Sequence, residues 1–359
     1  MSFRFSMRSF PKNGFTILMV CYALSLISCQ SEEDKQLEQI DYNFHVNRLD
    51  VAMEKFYKSS NEKPDSTYEL FIQYFGKHLD FIRDWNYNLG DSSIVPDSII
   101  AMDFQTFLND KPVQELLDSV RKLYPENEPF PYFEKAIKRL KLYFKDFDFP
   151  EVYTYIVGYP PPGAPAPLIL EKDQLFITTQ YWGISLDYFL GVNADYHMDM
   201  PMYIRKKCRK EYMLAAILMR YINRWQPPLK PENMPTFADR MIHQGIKLYF
   251  TKRIAPELPD SIILSYTPEQ LEWCNYFEKN IYNELIPYFF KTDPKATEKY
   301  LLDRPFTQGL DRQSPGRLGE FLGLKIVSEY MRNHPEVTLE QLVKTTDYQK
   351  IIKESKYKP

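Results

Sequence analysis

Apolar residues recur every three or four positions along most of this 359-residue chain, which is the spacing of one face of an α-helix. The clearest case is TPEQLEWCNYFEKNIYNELIPYFF at 267–290, whose stripe comprises Leu271, Cys274, Phe277, Ile281 and Leu285. The chain also has 27 prolines but 12 glycines, which favours helices joined by stiff corners over strands joined by glycine turns. We therefore expect a mainly α-helical protein.

Two local signals support this expectation. Thr267 is placed to accept a hydrogen bond from the Gln270 amide while the Gln270 side chain reaches back, which forms a capping box, and Pro268 fits the first helical position. Gly319 and Gly323 lie four apart in the helical segment RLGEFLGLKIVSEYMRN. Because each glycine costs a helix about 1 kcal/mol relative to alanine, we expect another backbone close to this pair. Further helices are expected from His45, at 66–89, at 97–108, from Asp110, and at 131–147, 203–224, 235–250, 338–343 and 347–352.

The pattern changes to that of strands after Pro150. EVYTYIVGY at 151–159 is β-branched and aromatic, and LILEKDQLFITT at 168–179 reads as two short strands around a polar turn. YPPPGAPAPL lies between them and must be an extended loop, since its prolines exclude a helix. The fold class is therefore mainly α with a small central β-sheet (α+β).

The start of the chain resembles a bacterial lipoprotein signal. Residues 1–14 carry Arg4, Arg8 and Lys12 and no acid, and an apolar run over 15–27 follows. That run is shorter than the roughly 20 residues that span a bilayer as a helix. Leu26-Ile27-Ser28-Cys29 resembles a lipobox, which implies cleavage before Cys29 and acylation of its sulfur. An ordinary signal peptide with a buried cysteine nearby is the alternative.

These features divide the chain into regions and limit its partners. The regions are a signal peptide (1–28), an acidic tether (29–42), an N-terminal helical region (43–149), a small β-sheet region (150–200) and a C-terminal helical region (201–359), with 43–359 as one compact unit. Removal of residues 1–28 takes away three of 45 basic residues and none of the 48 acidic ones, so the formal charge changes from −3 to −6. An acidic, exported chain without a basic cluster argues against nucleic acid as a partner. We expect the membrane as a partner through Cys29, with the leaflet open.

The chain lacks the familiar catalytic and metal motifs. No two of its five histidines lie three to five positions apart, and no HExxH, GxSxG, P-loop or CxxC sequence occurs. We expect no metal and no cofactor. Cys208 and Cys274 fit either a disulfide or two buried free thiols.

Polar residues within apolar runs are the candidates for a cleft or polar network. The candidates are Asp187, Asp239, Arg240, His243, Gln244 and Arg317, with Glu320 beside the last. Each must find a partner or face solvent. A satisfied ion pair or a solvated position accounts for each of them more readily than catalysis does.

Several motifs together resemble the gliding motility lipoproteins of Bacteroidota called GldB. The motifs are SLDYFLG (185–191), MIHQGIKLYF (241–250), SYTPEQLEWC (265–274), SPGRLGEFLGLKIVSEYM (314–331) and a terminal KYKP, of which TPEQLEWC and PGRLGEFLGLKIV are the most specific. The resemblance implies a membrane-attached lipoprotein of the cell envelope that works with the motility and type IX secretion machinery.

The same family resembles predicted zinc peptidases, in which a helix carries HExxH and a later segment supplies a glutamate ligand. MIHQGIKLYF keeps the glycine and the YF ending of that segment, but Gln244 stands at the glutamate position and MLAAILMRYI has no histidine. An amide and apolar side chains cannot replace these zinc ligands. We therefore hypothesise a degenerate, zincin-like scaffold and a non-enzymatic protein that acts by protein interaction. The alternatives are an active envelope hydrolase and a glycan-capturing surface lipoprotein.

Overall fold

The computed structural model describes residues 32–88, 95–159, 174–198 and 200–359. The predicted signal peptide, Cys29, most of YPPPGAPAPL and the first of the two strands predicted in 168–179 lie outside these residues. Residues 43–359 form one compact unit, and a separate unit ends at Tyr42. Helix α1, Glu32–Glu38, lies within the segment predicted to be a tether.

The described part of the compact unit is mainly helical, which confirms the predicted fold class. Its helices are α2 Leu49–Glu62, α3 Thr67–Phe75, α4 Leu79–Asn88, α5 Asp97–Asn109, α6 Lys111–Leu123, α7 Phe133–Tyr143, α8 Met202–Arg205, α9 Met213–Tyr221, α10 Phe237–Ile254, α11 Asp260–Ile263, α12 Pro268–Tyr276, α13 Glu278–Leu285, α14 Pro294–Leu301, α15 Leu318–Asn333, α16 Leu339–Lys344 and α17 Tyr348–Ser355. Its strands are β1 Val46–Arg48, β2 Glu151–Tyr155, β3 Leu175–Ile177 and β4 Tyr181–Ser185.

The four strands form one mixed sheet in the order β1-β2-β4-β3. β1 runs parallel to β2 with Val46 opposite Val152, and β2 runs parallel to β4 with Glu151 opposite Tyr181. β3 pairs antiparallel to β4 at the other edge. All of β4 and all of β2 except Glu151 are buried, as expected for central strands that helices cover on both faces.

Aromatic side chains pack on both faces of this sheet. On one face, the ring of Phe81 from α4 stacks on that of Tyr153 from β2, with centroids 4.0 Å apart. On the other face, Trp182 from β4 meets Tyr221 from α9 edge to face, with centroids 5.2 Å apart. The high aromatic content of the sequence thus serves the core on either side of the sheet.

Helices α10 and α15 pack against each other backbone to backbone. A Cβ atom on Gly245 would lie 2.4 Å from the carbonyl carbon of Gly323, and one on Gly323 would lie 2.3 Å from the carbonyl oxygen of Met241. Gly319 of α15 packs against Leu301, where a Cβ would lie 2.5 Å from the Leu301 side chain. A Cβ on Gly319 would also lie 3.1 Å from the Tyr300 carbonyl oxygen, so the expectation that Gly319 and Gly323 approach another backbone is confirmed.

Some predicted helices are shorter than the periodicity indicated. The segment from His45 begins with β1, because parallel pairing to β2 outweighs its helical spacing. A single 3₁₀ turn at Gly76–His78 divides the helix predicted at 66–89 into α3 and α4. The region 203–224 is α-helical in α8 and α9, with 3₁₀ turns beside them.

Candidate functional site

Arg317, one of the predicted site residues, contacts carboxylates, a backbone carbonyl and an aromatic ring. It precedes α15 in the left-handed backbone region, with φ of 58°. Its guanidinium donates to Glu320 Oε2 at 2.9 Å and to the Leu264 carbonyl at 2.7 Å. The same group lies 5.6 Å from the ring centroid of Tyr266, and its Nε is 3.3 Å from an Asp303 carboxylate oxygen.

The ion pairs around Arg317 set the charge of this region. Burial disfavours the charged guanidinium, but the carboxylates of Glu320 and Asp303 outweigh that effect and raise the pKa of Arg317. Burial raises the pKa of Glu320, and Arg317 opposes that shift. Lys207 pairs with Asp303, although burial lowers the pKa of Lys207. Arg317 therefore stays charged, and the carboxylates of Asp303 and Glu320 balance the charges of Arg317 and Lys207.

The two sequence motifs most specific to the family resemblance meet here. The Tyr266 hydroxyl donates to the carbonyls of Gly316 and Arg317 at 2.9 and 3.1 Å. The predicted capping box of α12 is confirmed, because Thr267 Oγ1 accepts from the Gln270 amide at 3.3 Å and Gln270 Oε1 accepts from the Thr267 amide at 3.0 Å. SYTPEQLEWC, through Tyr266, and SPGRLGEFLGLKIVSEYM thus build one wall together.

That wall borders a cavity of about 480 Å³, which we call the basic cleft. Among the described residues, five basic and two acidic side chains line it. The basic ones are Lys206, Lys207, Arg209, Arg304 and Arg317. Arg304 pairs with Glu298, and Lys207 and Arg317 pair with Asp303 and Glu320. Within the described residues, Lys206 and Arg209 are therefore the basic side chains of the cleft that are left to attract an anionic ligand, although the chain as a whole has a net charge of −3.

A second cavity, of about 490 Å³, lies beside the basic cleft, and Arg209 lines both. Its lining is mostly aromatic and aliphatic, and we call it the apolar pocket. Its apolar lining includes Phe130, Phe133, Met213, Leu214, Leu258 and Ile262. Two of its acids are already paired, Glu257 with Arg139 and Glu128 with Lys210. The pocket suits an apolar group.

A third cavity, of about 840 Å³, runs along β1 and shares Glu128, Pro129, Phe130 and Pro131 with the apolar pocket. We call it the strand-side cavity. Its other walls come from β1, α2 and the turn at Lys77 and His78. The three cavities follow one another through shared lining residues, and together they form what we call the groove.

A buried ionic cluster centred on Asp50 holds two walls of the groove together. Arg48 of β1 donates to both carboxylate oxygens of Asp50, at 2.9 and 2.8 Å, and to the carbonyls of Tyr124, Pro125 and Glu126 at 2.9–3.2 Å. One guanidinium therefore joins the edge strand to the loop that leads into the shared prolines.

Asp50 itself is fully buried and well satisfied. It also accepts hydrogen bonds from Thr154 Oγ1 of β2 at 2.5 Å and from Arg121 of α6 at 3.2 Å. Sequence reasoning missed this cluster. The available signal was an acid in RLDVAMEKF, at a position whose helical neighbours are apolar.

Asp187 lies outside the groove and serves as a backbone anchor. It is fully buried, contacts the Ser185 hydroxyl, and accepts from the amides of Val157 and Gly158 at 3.1 and 2.9 Å. Gly158 has a φ of 83°, which favours glycine. Burial raises the pKa of Asp187, while these hydrogen bonds oppose the shift. The carboxyl group fixes the ends of β2 and β4 relative to each other.

The four candidates on α10 are not gathered into a catalytic arrangement. Asp239 completes a capping box with Thr236 and accepts from Gln349 at 2.6 Å. His243 Nε2 lies 3.2 Å from the Pro227 carbonyl oxygen, and burial lowers the pKa of this ring to about 4. Arg240 and Gln244 are partly exposed, and their side chains form no hydrogen bond within the described residues.

Cys208 and Cys274 are both buried as free thiols. Burial raises the pKa of Cys208 to about 11 and also raises that of Cys274. Because the thiolate is the reactive form, neither side chain has the environment of a nucleophile.

The described residues contain no group of three His, Cys, Asp or Glu side chains placed to hold a metal ion. Within the same ranges, no helix combines the length and the apolar character needed to cross a bilayer.

The fold and the groove define a mainly helical protein with a preformed surface groove that is basic at one end and apolar in the middle. The chain belongs to a family described as gliding motility protein GldB, a lipoprotein family whose model matches residues 30–359. No curated protein and no solved structure matches it. The predicted membership is thereby confirmed, and it associates the chain with gliding motility and with the other proteins of that process.

Proposed function

We propose that this chain is a lipid-anchored, non-enzymatic component of the gliding motility or type IX secretion apparatus, and that it acts by binding another envelope protein. The observation that carries the proposal is the groove, whose basic end is built where the two most family-specific motifs meet. Family membership supplies the link to motility.

The environment of the candidate site residues supports binding rather than catalysis. The carboxylates of Asp187 and Asp239 accept hydrogen bonds that hold backbone or cap a helix. Arg317 is held by Glu320 and a carbonyl oxygen. These contacts give each side chain a structural role, and we therefore favour binding over catalysis for this site.

We further propose that the scaffold derives from a zinc peptidase and no longer binds the metal. The side chains that α9 buries are apolar or tyrosine, and Gln244 of α10 offers a neutral amide. Neither resembles the imidazole and carboxylate ligands of catalytic zinc. Purified protein should therefore contain no stoichiometric zinc by elemental analysis. Stoichiometric zinc, or peptide cleavage that a chelator abolishes, would contradict this part of the proposal.

Anchoring is proposed through Cys29, with the signal peptide removed before it. Cells grown with a clickable fatty-acid analogue should label the wild-type protein and fail to label the Cys29→Ala variant. Cys208→Ala is the matched control, because it removes a buried thiol and should leave labelling unchanged. Labelling of Cys29→Ala at the wild-type level would refute lipid attachment at this residue.

Crosslinking in the native envelope followed by affinity purification tests the interaction itself. We expect the same motility or secretion proteins to be recovered in replicate experiments and to be missing from a control with an unrelated lipoprotein. Recovery of the same proteins with the control bait, or substrate turnover by the purified chain, would overturn the proposed function.

A further inference from the structure

We propose that the groove binds an extended segment of its partner protein, with a carboxylate in the basic cleft and an apolar side chain in the apolar pocket. The inference rests on the proposed function and adds to it the chemistry of the bound segment.

The shape of the groove favours an extended polypeptide over a compact ligand. The strand-side cavity shares Glu128–Pro131 with the apolar pocket, and the apolar pocket shares Arg209 with the basic cleft. The far end runs along β1, the edge strand of the described sheet. An edge strand presents backbone donors and acceptors to which an extended peptide can add.

The unpaired basic side chains of the basic cleft favour a ligand with a negative charge. Lys206 is exposed and lies near enough to Glu269 for an electrostatic interaction, but neither Lys206 nor Arg209 forms an ion pair with an acid of the described residues. Arg209 Nε donates to the Lys206 carbonyl and Nη2 to the Tyr212 hydroxyl, which fixes the guanidinium while Nη1 has no acceptor within the described residues. A fixed guanidinium beside a lysine is suited to a carboxylate.

The apolar pocket indicates that the bound segment also carries an apolar side chain beside its carboxylate. Its volume of about 490 Å³ falls in the range of ligand pockets, and its Phe130, Met213 and Ile262 offer contact area to an aromatic or aliphatic side chain. Because Arg209 lines both cavities, an apolar residue and an acidic residue close together in one segment can occupy them at the same time.

The groove is also held in shape before binding. Arg48 of β1 donates hydrogen bonds to the backbone carbonyls of residues 124–126. The Thr267–Gln270 capping box fixes the start of the helix that forms one wall of the basic cleft. Fixed walls reduce the ordering cost of association, so a short segment is sufficient for measurable binding.

The test uses fluorescence anisotropy with the purified protein and a fluorescein-labelled peptide of alternating aspartate and phenylalanine. We expect saturable binding that weakens with added salt, and about tenfold weaker binding in Lys206→Glu. Arg209→Gln should weaken binding similarly, and Ile262→Trp should weaken it by filling the apolar pocket. The control is Lys279→Glu, which makes the same charge change on exposed α13 outside the groove and should bind like the wild type.

Each of the following results would overturn the inference: no binding by the wild type at about 1 mM protein, equal binding by Lys206→Glu and Lys279→Glu, or equal binding of a peptide with lysine in place of aspartate. Binding of anionic phosphatidylglycerol vesicles through Lys206, without peptide binding, would also overturn it in favour of a lipid. If envelope proteins are still recovered with Lys206→Glu, the groove inference fails while the proposed function stands. If the wild type recovers none, the proposed function itself fails.

Discussion

Asp50 illustrates how single buried residues shape this molecule. A lone buried carboxylate is costly, but Arg48, Arg121 and Thr154 together satisfy both of its oxygens. The sequence could not reveal the cluster, because Arg121 and Thr154 lie 71 and 104 positions from Asp50. By contrast, Arg317 was singled out because it is a charged residue beside an apolar helical segment that carries Gly319 and Gly323.

Replacement of Asp50 by asparagine should lower the free energy of unfolding by about 3–5 kcal/mol, because two partly buried guanidinium groups lose their shared counter-charge. Denaturant titration followed by circular dichroism measures the change. The control is Asp65→Asn, which makes the same chemical change at an exposed position. Equal stability of the two variants would show that the cluster contributes little.

His243 should make the protein less stable in mild acid. Its folded pKa of about 4 lies below the ordinary 6.5, so the unfolded state binds the proton more readily. The free energy of unfolding should therefore fall as pH decreases from 6.5 to about 4, by at most about 3 kcal/mol from this residue. Burial lowers the pKa values of His78 and His197 as well, which adds to the same trend.

The His243→Gln variant should lose part of this pH dependence, since glutamine does not titrate. Unfolding curves of wild type and variant at several pH values between 4 and 7 provide the comparison. An unchanged slope in the variant would mean that His243 is protonated as easily in the folded as in the unfolded state.

At the scale of elements, the features that depend on local sequence signals were predicted correctly. The α12 capping box, the α15 glycines and strand β3 all depend on residues within a few positions or on a clear composition. Strand β4 was missed, because YWGIS is buried on both faces and shows no alternation, and its parallel partner β2 lies far away in the chain. β1 was assigned to a helix for a similar reason.

Gly323→Ala should test the contact between α10 and α15. The new Cβ would lie 2.3 Å from a backbone oxygen of Met241, which no rotation of a side chain relieves. Overpacking should outweigh the better helix propensity of alanine and lower the free energy of unfolding by about 2 kcal/mol.

The matched variant is Gly76→Ala, at a helix end with ordinary φ, where the nearest atom is the side chain of Ile72 at 3.3 Å. Its effect should stay below about 1 kcal/mol. Thermal unfolding of both variants gives the comparison, and a neutral Gly323→Ala would show that the two helices can separate at little cost.

At the scale of the whole molecule, the sequence predicted the fold class, and it singled out Arg317, which lines the basic end of the groove. Arg317 and the TPEQ motif were recognised, but the groove also needs Arg209, the prolines after Glu128, and β1. These come from three distant parts of the chain, each unremarkable by itself. Their assembly depends on packing and on the Arg48 hydrogen bonds, which no local pattern encodes.

The direct backbone contact of Gly245 with Gly323 has a consequence for how the protein opens. No side chains lie between the two helices at this point, so a small local movement cannot admit solvent. Amide deuterium uptake at the centres of α10 and α15 should therefore require global opening and be the slowest in the chain. The seven-residue α1 should exchange by fraying, within the dead time of the experiment. Rapid deuterium uptake around Gly245 would mean that α10 and α15 separate by local opening, without global unfolding.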